Sequence, residues 1–259
     1  SKNKSIILTI STILLAFTFI YFQFKGFGKI INLGYYFTGA ESSITTSFLY
    51  VLVVLHMTHL IAGFPSLEEN WRMLEIMGEV GVDLVELQMP FSEPMADGPV
   101  FARANQIALE NGIVLDQYFD LMKRSTNKYD FPHLMMGYYN TAFRLGNEGF
   151  CKRLQDAGGS GYILPDLPVE EGEGLFGLSD EQGLCPIQLM TPTSTDSRLI
   201  QVGQHARGFV YVVARRGVTG SKTDIDRDLF DFVDRCRLAT TLPLAVGFGL
   251  SSGADLERL

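Results

Sequence analysis

The stretch VDLVELQMPFSEPMADGPV, residues 82–100, decides the fold of most of the chain. Its apolar start, VDLVEL, predicts a buried strand, and a loop with three prolines follows it directly. On such a strand Val85 and Leu87 share one face, whereas Glu86 and Gln88 share the other with Leu84. The pattern therefore predicts a carboxylate at the end of a buried strand, under a stiff loop that carries further acids.

Helical and strand patterns alternate on both sides of this stretch, from Phe64 to the last residue. Repeated βα units with apolar strands are typical of a parallel sheet covered by helices. No GxGxxG follows the first strand, and this argues against an open dinucleotide-binding sheet. Polar residues follow nearly every strand, which favours an α/β fold of the (β/α)8 TIM-barrel type, with about seven countable strands.

Charge is unevenly distributed in this chain of 259 residues, which has a net charge of -8. Residues 1–63 carry four lysines and one glutamate, so the remainder has 17 basic against 28 acidic residues. Such an acidic body argues against a nucleic-acid partner, because phosphate contacts need clustered Lys and Arg. The three cysteines are odd in number and far apart, which indicates a reducing compartment and a cytoplasmic location for residues 64–259.

Two long uncharged runs precede this region, at 5–24 and from Ser42 onward. Each is long enough to cross a bilayer, and together they predict a transmembrane hairpin over residues 1–63, with membrane contact through 5–24 and 42–62. His56 and His59 would lie one helical turn apart on the second run. With no third ligand nearby, we expect them to contact another helix and not a metal.

Glu86 and Asp97 are the candidate catalytic residues. A carboxylate inside a barrel is costly to ionise, so its pKa rises and it can carry a proton near neutral pH. The proline-rich loop would bring Asp97 to the mouth of the barrel, where β2 with Glu86 ends, or Asp97 would only cap its own Asp-Gly turn. GVTG at 217–220 and GFG at 247–249 can present backbone N–H groups to an anion. The residues thus predict acid/base chemistry on a small phosphorylated substrate, without a metal.

Residues 61–259 resemble the tryptophan synthase alpha chain family. The stretch quoted above carries the resemblance, and LMMGYYN, YILPDLPVEE, GFVYVVARRGVTG and AVGFGLSS support it in the order of the family. The resemblance implies a TIM barrel that cleaves indole-3-glycerol phosphate to indole and glyceraldehyde 3-phosphate. It implies no cofactor in this chain, because pyridoxal phosphate belongs to the partner beta chain, which receives the indole.

The resemblance also assigns roles to six residues. Glu86 shuttles protons and Asp97 stabilises charge at the ring N–H. Substrate-binding positions match at Tyr138, Tyr211, Gly220 and Gly249.

Three departures from the family pattern stand out. Glu93 replaces an Asp, Gln88 stands where Gly is common, and the last strand and helix of the barrel are lacking. We therefore expect this chain of 259 residues to cleave its substrate poorly.

The N-terminal stretch FTGAESSITTSFLYVLVVLHMTHLIAG resembles part of subunit III of haem-copper cytochrome oxidases. This implies a fusion of two unrelated fragments, with domains at 1–63 and 64–259. An alternative of another class is a membrane protein fragment whose barrel segment is inert. Another phosphate-binding barrel is disfavoured by the PFSEPMADGP loop.

Overall fold

Among the residues that the structure describes, seven parallel strands form one sheet, in which each strand pairs with the next one along the chain. The computed structural model describes residues 59–213 and 227–247, which all belong to one compact unit, Val51–Leu250. The strands are β1 His59–Ile61, β2 Val85–Gln88, β3 His133–Met136, β4 Gly161–Ile163, β5 Cys185–Met190, β6 Val210–Val213 and β7 Leu244–Gly247. The predicted parallel α/β architecture of TIM-barrel type and its seven countable strands are confirmed.

Helices connect successive strands on the outside of the sheet. They are α1 Leu67–Val80, α2 Pro99–Glu110, α3 Leu115–Thr126, α4 Tyr139–Leu145, α5 Asn147–Asp156, α6 Glu173–Glu181, α7 Asp196–His205 and α8 Arg227–Ala239. A short 3-10 helix, Val169–Glu171, precedes α6. This arrangement brings the carboxyl ends of all seven strands to one face, where sites of such folds lie.

The register of the strands shows which side chains face the interior. Glu86 pairs with Leu134, and Gln88 pairs with Met136. Leu134 and Met136 belong to the interior apolar cluster, against which Leu84 also packs. Since paired residues of neighbouring strands share a face, Glu86 and Gln88 lie on the interior side, as the alternation predicted.

Local signals account for helix α1. The Ser66 hydroxyl accepts a hydrogen bond from the backbone N–H of Glu69 at 3.2 Å and so caps the start of the helix. Gly81 ends the helix with φ of 71°, a left-handed conformation that glycine adopts without steric cost. The helix therefore begins and ends where the sequence indicates.

Two helices were missed by the sequence analysis. The residues LDQYFDLMKRST form α3, whose apolar side packs inward with Tyr118, Leu121 and Met122 fully buried. The other is α4, which begins at Tyr139, three residues after β3 ends at Met136. The Asp166 carboxylate accepts hydrogen bonds from the backbone N–H of Tyr139, a long-range contact that a local pattern does not reveal.

The predicted transmembrane hairpin lies largely outside the described residues, as does His56. Within 59–213 and 227–247, no helix is long and apolar enough to cross a membrane. Residues 59–61, which the sequence analysis gave to the second membrane helix, instead form strand β1 and pair with β2. His59 therefore lies on a strand, and the expected domain boundary at 63/64 stays a prediction. The sequence analysis misplaced residues 59–61 because a short buried strand and part of an apolar helix look alike in sequence.

Candidate functional site

Glu86 lies in the middle of β2 and is only 4% exposed. Burial raises the pKa of its carboxyl group from 4.5 to about 8, because the charged form loses its hydration. Its Oε2 atom lies 3.5 Å from Nδ1 of His59. Within the described residues, its Oε1 atom is buried without a hydrogen-bond partner. This carboxyl group can therefore hold or release a proton near neutral pH.

Asp97 lies on the loop that leads from β2 to α2 and is also buried. Its Oδ2 atom accepts hydrogen bonds from Nε2 of Gln88 at 2.8 Å and from Nδ2 of Asn105 at 3.1 Å. Pro99 stands at the first turn of α2, where its missing N–H costs no helical hydrogen bond. The loop thus folds back over β2, and both candidate carboxylates belong to one network of contacts.

Tyr138 holds the loop from the side of β3. Its hydroxyl oxygen accepts a hydrogen bond from the backbone N–H of Ala96 at 3.1 Å, and its ring stacks on Phe91 at 5.0 Å between centroids. Burial and the neighbouring Asp97 charge raise the pKa of Tyr138 above its ordinary value. Tyr138 therefore lies beside Asp97, as a pocket residue would.

Tyr211 on β6 lies near Glu86. Burial is the main cause that raises the pKa of Tyr211, and the Glu86 charge adds to it. The ring packs against Gly247 of β7, where an added Cβ would come within 2.2 Å of the tyrosine ring. The absence of a side chain at Gly247 therefore leaves the space that the Tyr211 ring occupies.

The two predicted phosphate-binding residues, Gly220 and Gly249, lie outside the described residues. A cavity of about 200 Å³ opens at the ends of β4 and β5, beside Asp166, Thr191 and Arg198, and neither Glu86 nor Asp97 lines it. Within the described part of the chain, no group of three or more His, Cys, Asp and Glu side chains is arranged to hold a metal ion.

The structure adds three polar residues that the sequence analysis did not propose for the site. Asn105 is fully buried, and its Oδ1 accepts the backbone N–H of Phe91 at 3.0 Å. Gln88 was placed on the face of Glu86 and noted as a departure from a family pattern, but it was not proposed for the site, and His59 was placed on a membrane helix. One signal was available for Gln88, since it shares the interior face with Glu86 two residues away.

The raised pKa of Glu86 predicts a pH-dependent cost to stability. Between pH 4.5 and about 8 the folded chain holds a proton that the unfolded chain releases, so stability falls as pH rises through this window. Glu86→Gln removes this effect. We expect the variant to match the unaltered chain near pH 5 and to exceed it near pH 8, by at most about 5 kcal/mol at about 1.4 kcal/mol per pKa unit.

Urea unfolding of the full chain at both pH values measures this difference. Glu79→Gln, at an exposed position on α1, is the matched control and should behave alike at both. Equal stability of Glu86→Gln and the unaltered chain near pH 8 would show that Glu86 is solvated and not buried.

Comparison with known proteins identifies the family. The profile of the family "Tryptophan synthase alpha chain" matches residues 54–259. The tryptophan synthase alpha chain of Syntrophotalea carbinolica is 46% identical over 204 residues, which cover 79% of this chain and 81% of that protein. The alpha chain of Desulfotalea psychrophila is also 46% identical, over 206 residues that cover 80% of this chain and 81% of that protein.

Solved structures agree in fold. A structure that concerns mutual activation of the tryptophan synthase a2b2 complex of Pyrococcus furiosus matches with a TM-score of 0.70 and 28% identity. The match covers 77% of this chain and 80% of the other. The match to the family profile begins at residue 54, so β1 lies within the family region. By these likenesses the chain belongs to the tryptophan synthase alpha chain family and is an enzyme of that type.

Proposed function

We propose that this lyase cleaves indole-3-glycerol phosphate to indole and glyceraldehyde 3-phosphate, with Glu86 as its acid/base residue. The observation that carries the proposal is the Glu86 carboxyl group itself, which is buried on the interior face of β2 with Oε1 unengaged by the described residues. Its pKa of about 8 suits a group that must both give and take a proton near neutral pH.

The reaction conserves its atoms and needs two proton transfers. The bond between indole C3 and the glycerol side chain breaks, and its electron pair stays on the ring. A new C–H bond forms at C3, while the adjacent hydroxyl loses its proton and becomes the carbonyl of the aldehyde. One carboxyl group can serve both steps, because the proton that it gives to C3 is replaced by the one that it takes from the hydroxyl.

Asp97 is proposed to balance the positive charge that develops at the ring N–H during protonation of C3. Two amides, those of Gln88 and Asn105, hold its Oδ2 atom in place. A carboxylate that is oriented before the substrate binds stabilises developing charge without having to reorganise. Tyr138 and Tyr211 flank the two carboxylates and are proposed to contact the substrate.

The phosphate group of the substrate is assigned to the glycine loops that contain Gly220 and Gly249. This part of the proposal rests on the sequence, since both residues lie outside the described ranges. Backbone N–H groups of loops after the later strands bind phosphate in many barrels.

A tryptophan synthase beta chain is the proposed partner, and pyridoxal phosphate is proposed to belong to it. Three large apolar side chains are exposed on the segments that follow β2 and β3. They are Met95 at 73%, Val100 at 79% and Phe143 at 72%. Because the loop 90–99 carries Asp97, a partner that contacts the loop can set the position of that carboxylate. The proposals of membrane contact by the N-terminal residues and of a cytoplasmic barrel stay predictions.

Asp97→Asn tests the second carboxylate. The amide keeps the size of the side chain but loses the charge, and hydrogen bonds to charged groups contribute roughly 1.5–3 kcal/mol. We therefore expect indole release to fall by about 10- to 100-fold, with little loss of folding stability. An indole-release assay measures the rate, and urea unfolding measures stability. The control is Asp116→Asn on α3, 19 residues after Asp97 in the chain. A rate within twofold of the unaltered chain would remove Asp97 from the mechanism.

A further inference from the structure

His59 and Gln88 lie between the two candidate carboxylates. Nδ1 of His59 is 3.5 Å from Oε2 of Glu86, and its Nε2 is 2.6 Å from Oε1 of Gln88. The other end of the Gln88 amide lies 2.8 Å from Oδ2 of Asp97. A continuous line of polar contacts thus runs from Glu86 through His59 and Gln88 to Asp97.

Backbone groups of known polarity fix the direction of the hydrogen bonds that join Asp97, Gln88 and His59. Nδ2 of Asn105 donates to the carbonyl of Phe101 at 2.9 Å, and its Oδ1 accepts from the N–H of Phe91. That Oδ1 is an acceptor, and so is Oδ2 of Asp97, which accepts from Nδ2 of Asn105, so the NH2 group of Gln88 must face them. The oxygen of Gln88 therefore faces His59, and Nε2 of His59 must carry a proton and donate it.

This leaves Nδ1 of His59 facing the Glu86 carboxyl group. In a neutral imidazole whose Nε2 bears the hydrogen, Nδ1 is an acceptor. Two acceptors at 3.5 Å are unfavourable, so one proton is needed on either the carboxyl group or the ring. Interacting sites of this kind share their protons as a pair.

The surroundings of this pair contribute no described positive charge. From α2, the Phe101 ring lies 5.0 Å from the His59 ring. Tyr211 faces Glu86 from β6, and Tyr138 faces Asp97 from the end of β3. Asp97 itself is held from the loop, and Asp166 adds a second negative charge near Tyr138. Within the described residues no cation lies against the pair, and burial of the Glu86 carboxyl group favours keeping a proton on it.

We propose that His59 and Gln88 are positioning residues that keep one proton on the Glu86–His59 pair: Gln88 fixes the ring, and Nδ1 of His59 shares the proton with Oε2 of Glu86. This proposal rests on the proposed function, in which Glu86 is the acid/base group. During turnover the proton passes to C3 and is replaced by the hydroxyl proton, so the pair holds one proton before and after the reaction. Gln88 also contacts Asp97, so a movement of the loop would change the positions of both carboxylates.

The test is the pH at which the Glu86 carboxyl group loses its proton, followed by NMR of the full chain labelled with 13C at glutamate carboxyl groups. Glu86→Gln identifies the signal. His59→Phe keeps a ring against Phe101 but removes both nitrogens. We expect the titration of Glu86 to move to lower pH by about one unit, since one hydrogen bond contributes roughly 1 kcal/mol and a pKa unit corresponds to about 1.4 kcal/mol.

Gln88→Met, of similar length, should shift the titration in the same direction but less, because the ring remains while its anchor is lost. Gln88→Met also provides a test of the proposal if His59→Phe does not fold. His205→Phe, on α7, replaces a histidine outside this line of contacts and should leave the Glu86 signal unchanged. An unmoved Glu86 titration in the folded variants would overturn the proposal.

Measurements of activity distinguish the shared-proton proposal from the proposed acid/base role of Glu86. In an active chain, the alkaline limb of the pH profile of kcat/KM should move to lower pH with the Glu86 titration in both variants. A purely structural role would lower the rate without moving the limb. If Glu86→Gln kept full activity while the titration still shifted in His59→Phe, the proton pair would stand and the proposed catalytic role would fall.

Discussion

Glu86→Gln should lower indole release from indole-3-glycerol phosphate by roughly 10²–10⁴-fold, the range for the loss of an acid/base group. Glutamine fills nearly the same volume at this buried site but cannot give a proton to C3 or take one from the hydroxyl. Binding of the intact substrate should change much less, since Glu86 acts on the reacting bond. The loss is therefore expected in kcat more than in KM.

The assay follows indole with and without a tryptophan synthase beta chain. It compares the variant with the unaltered chain under both conditions. Glu79→Gln is the control for a change of charge at an exposed site. Near-normal turnover by Glu86→Gln would show that another group carries the proton.

Gly161→Ala should strongly destabilise the barrel. Gly161 opens β4 and pairs with Leu134 on one side and Cys185 on the other. An added Cβ would lie 2.1 Å from the backbone carbonyl oxygen of Cys185, which is part of β5 and cannot rotate away as a side chain can. The strands must separate or bend, and we expect a loss of about 3 kcal/mol or more, at the upper end of the range for overpacking.

Urea unfolding of the full chain measures this loss, and Gly177→Ala provides a matched control. Gly177 lies on the exposed side of α6, and an added Cβ would meet nothing within 4 Å. Alanine should stabilise that helix by roughly 0.5–1 kcal/mol. A cost below 1 kcal/mol for Gly161→Ala would mean that β4 and β5 can move apart freely.

The sequence by itself determined the parts of this protein that depend on local pattern. The alternation in VDLVELQ placed Glu86 on the interior face, and the register with Leu134 agrees. The repeated alternation of helical and strand patterns predicted a parallel sheet covered by helices, and the described residues form one. These predictions succeeded because side-chain alternation and helical periodicity are set by residues a few positions apart.

Other features were decided only by tertiary structure. The strand at 59–61 reads as the end of an apolar helix until β2 supplies its hydrogen-bond partners. Helix α4 begins where the Asp166 carboxylate meets the N–H of Tyr139, 27 residues earlier in the chain. Neither contact has a local signature, since each depends on strands that meet only after the sheet has formed.

The line of polar contacts from Glu86 to Asp97 shows most clearly which features come from the sequence and which from tertiary structure. The sequence supplied both carboxylates and the stiff loop between them, and it left open whether Asp97 reaches the mouth. The structure brings His59, 29 residues before Gln88, within 2.6 Å of it. A parallel pairing of β1 with β2 is the physical reason, because it sets His59 beside Glu86 in register and turns both toward the interior.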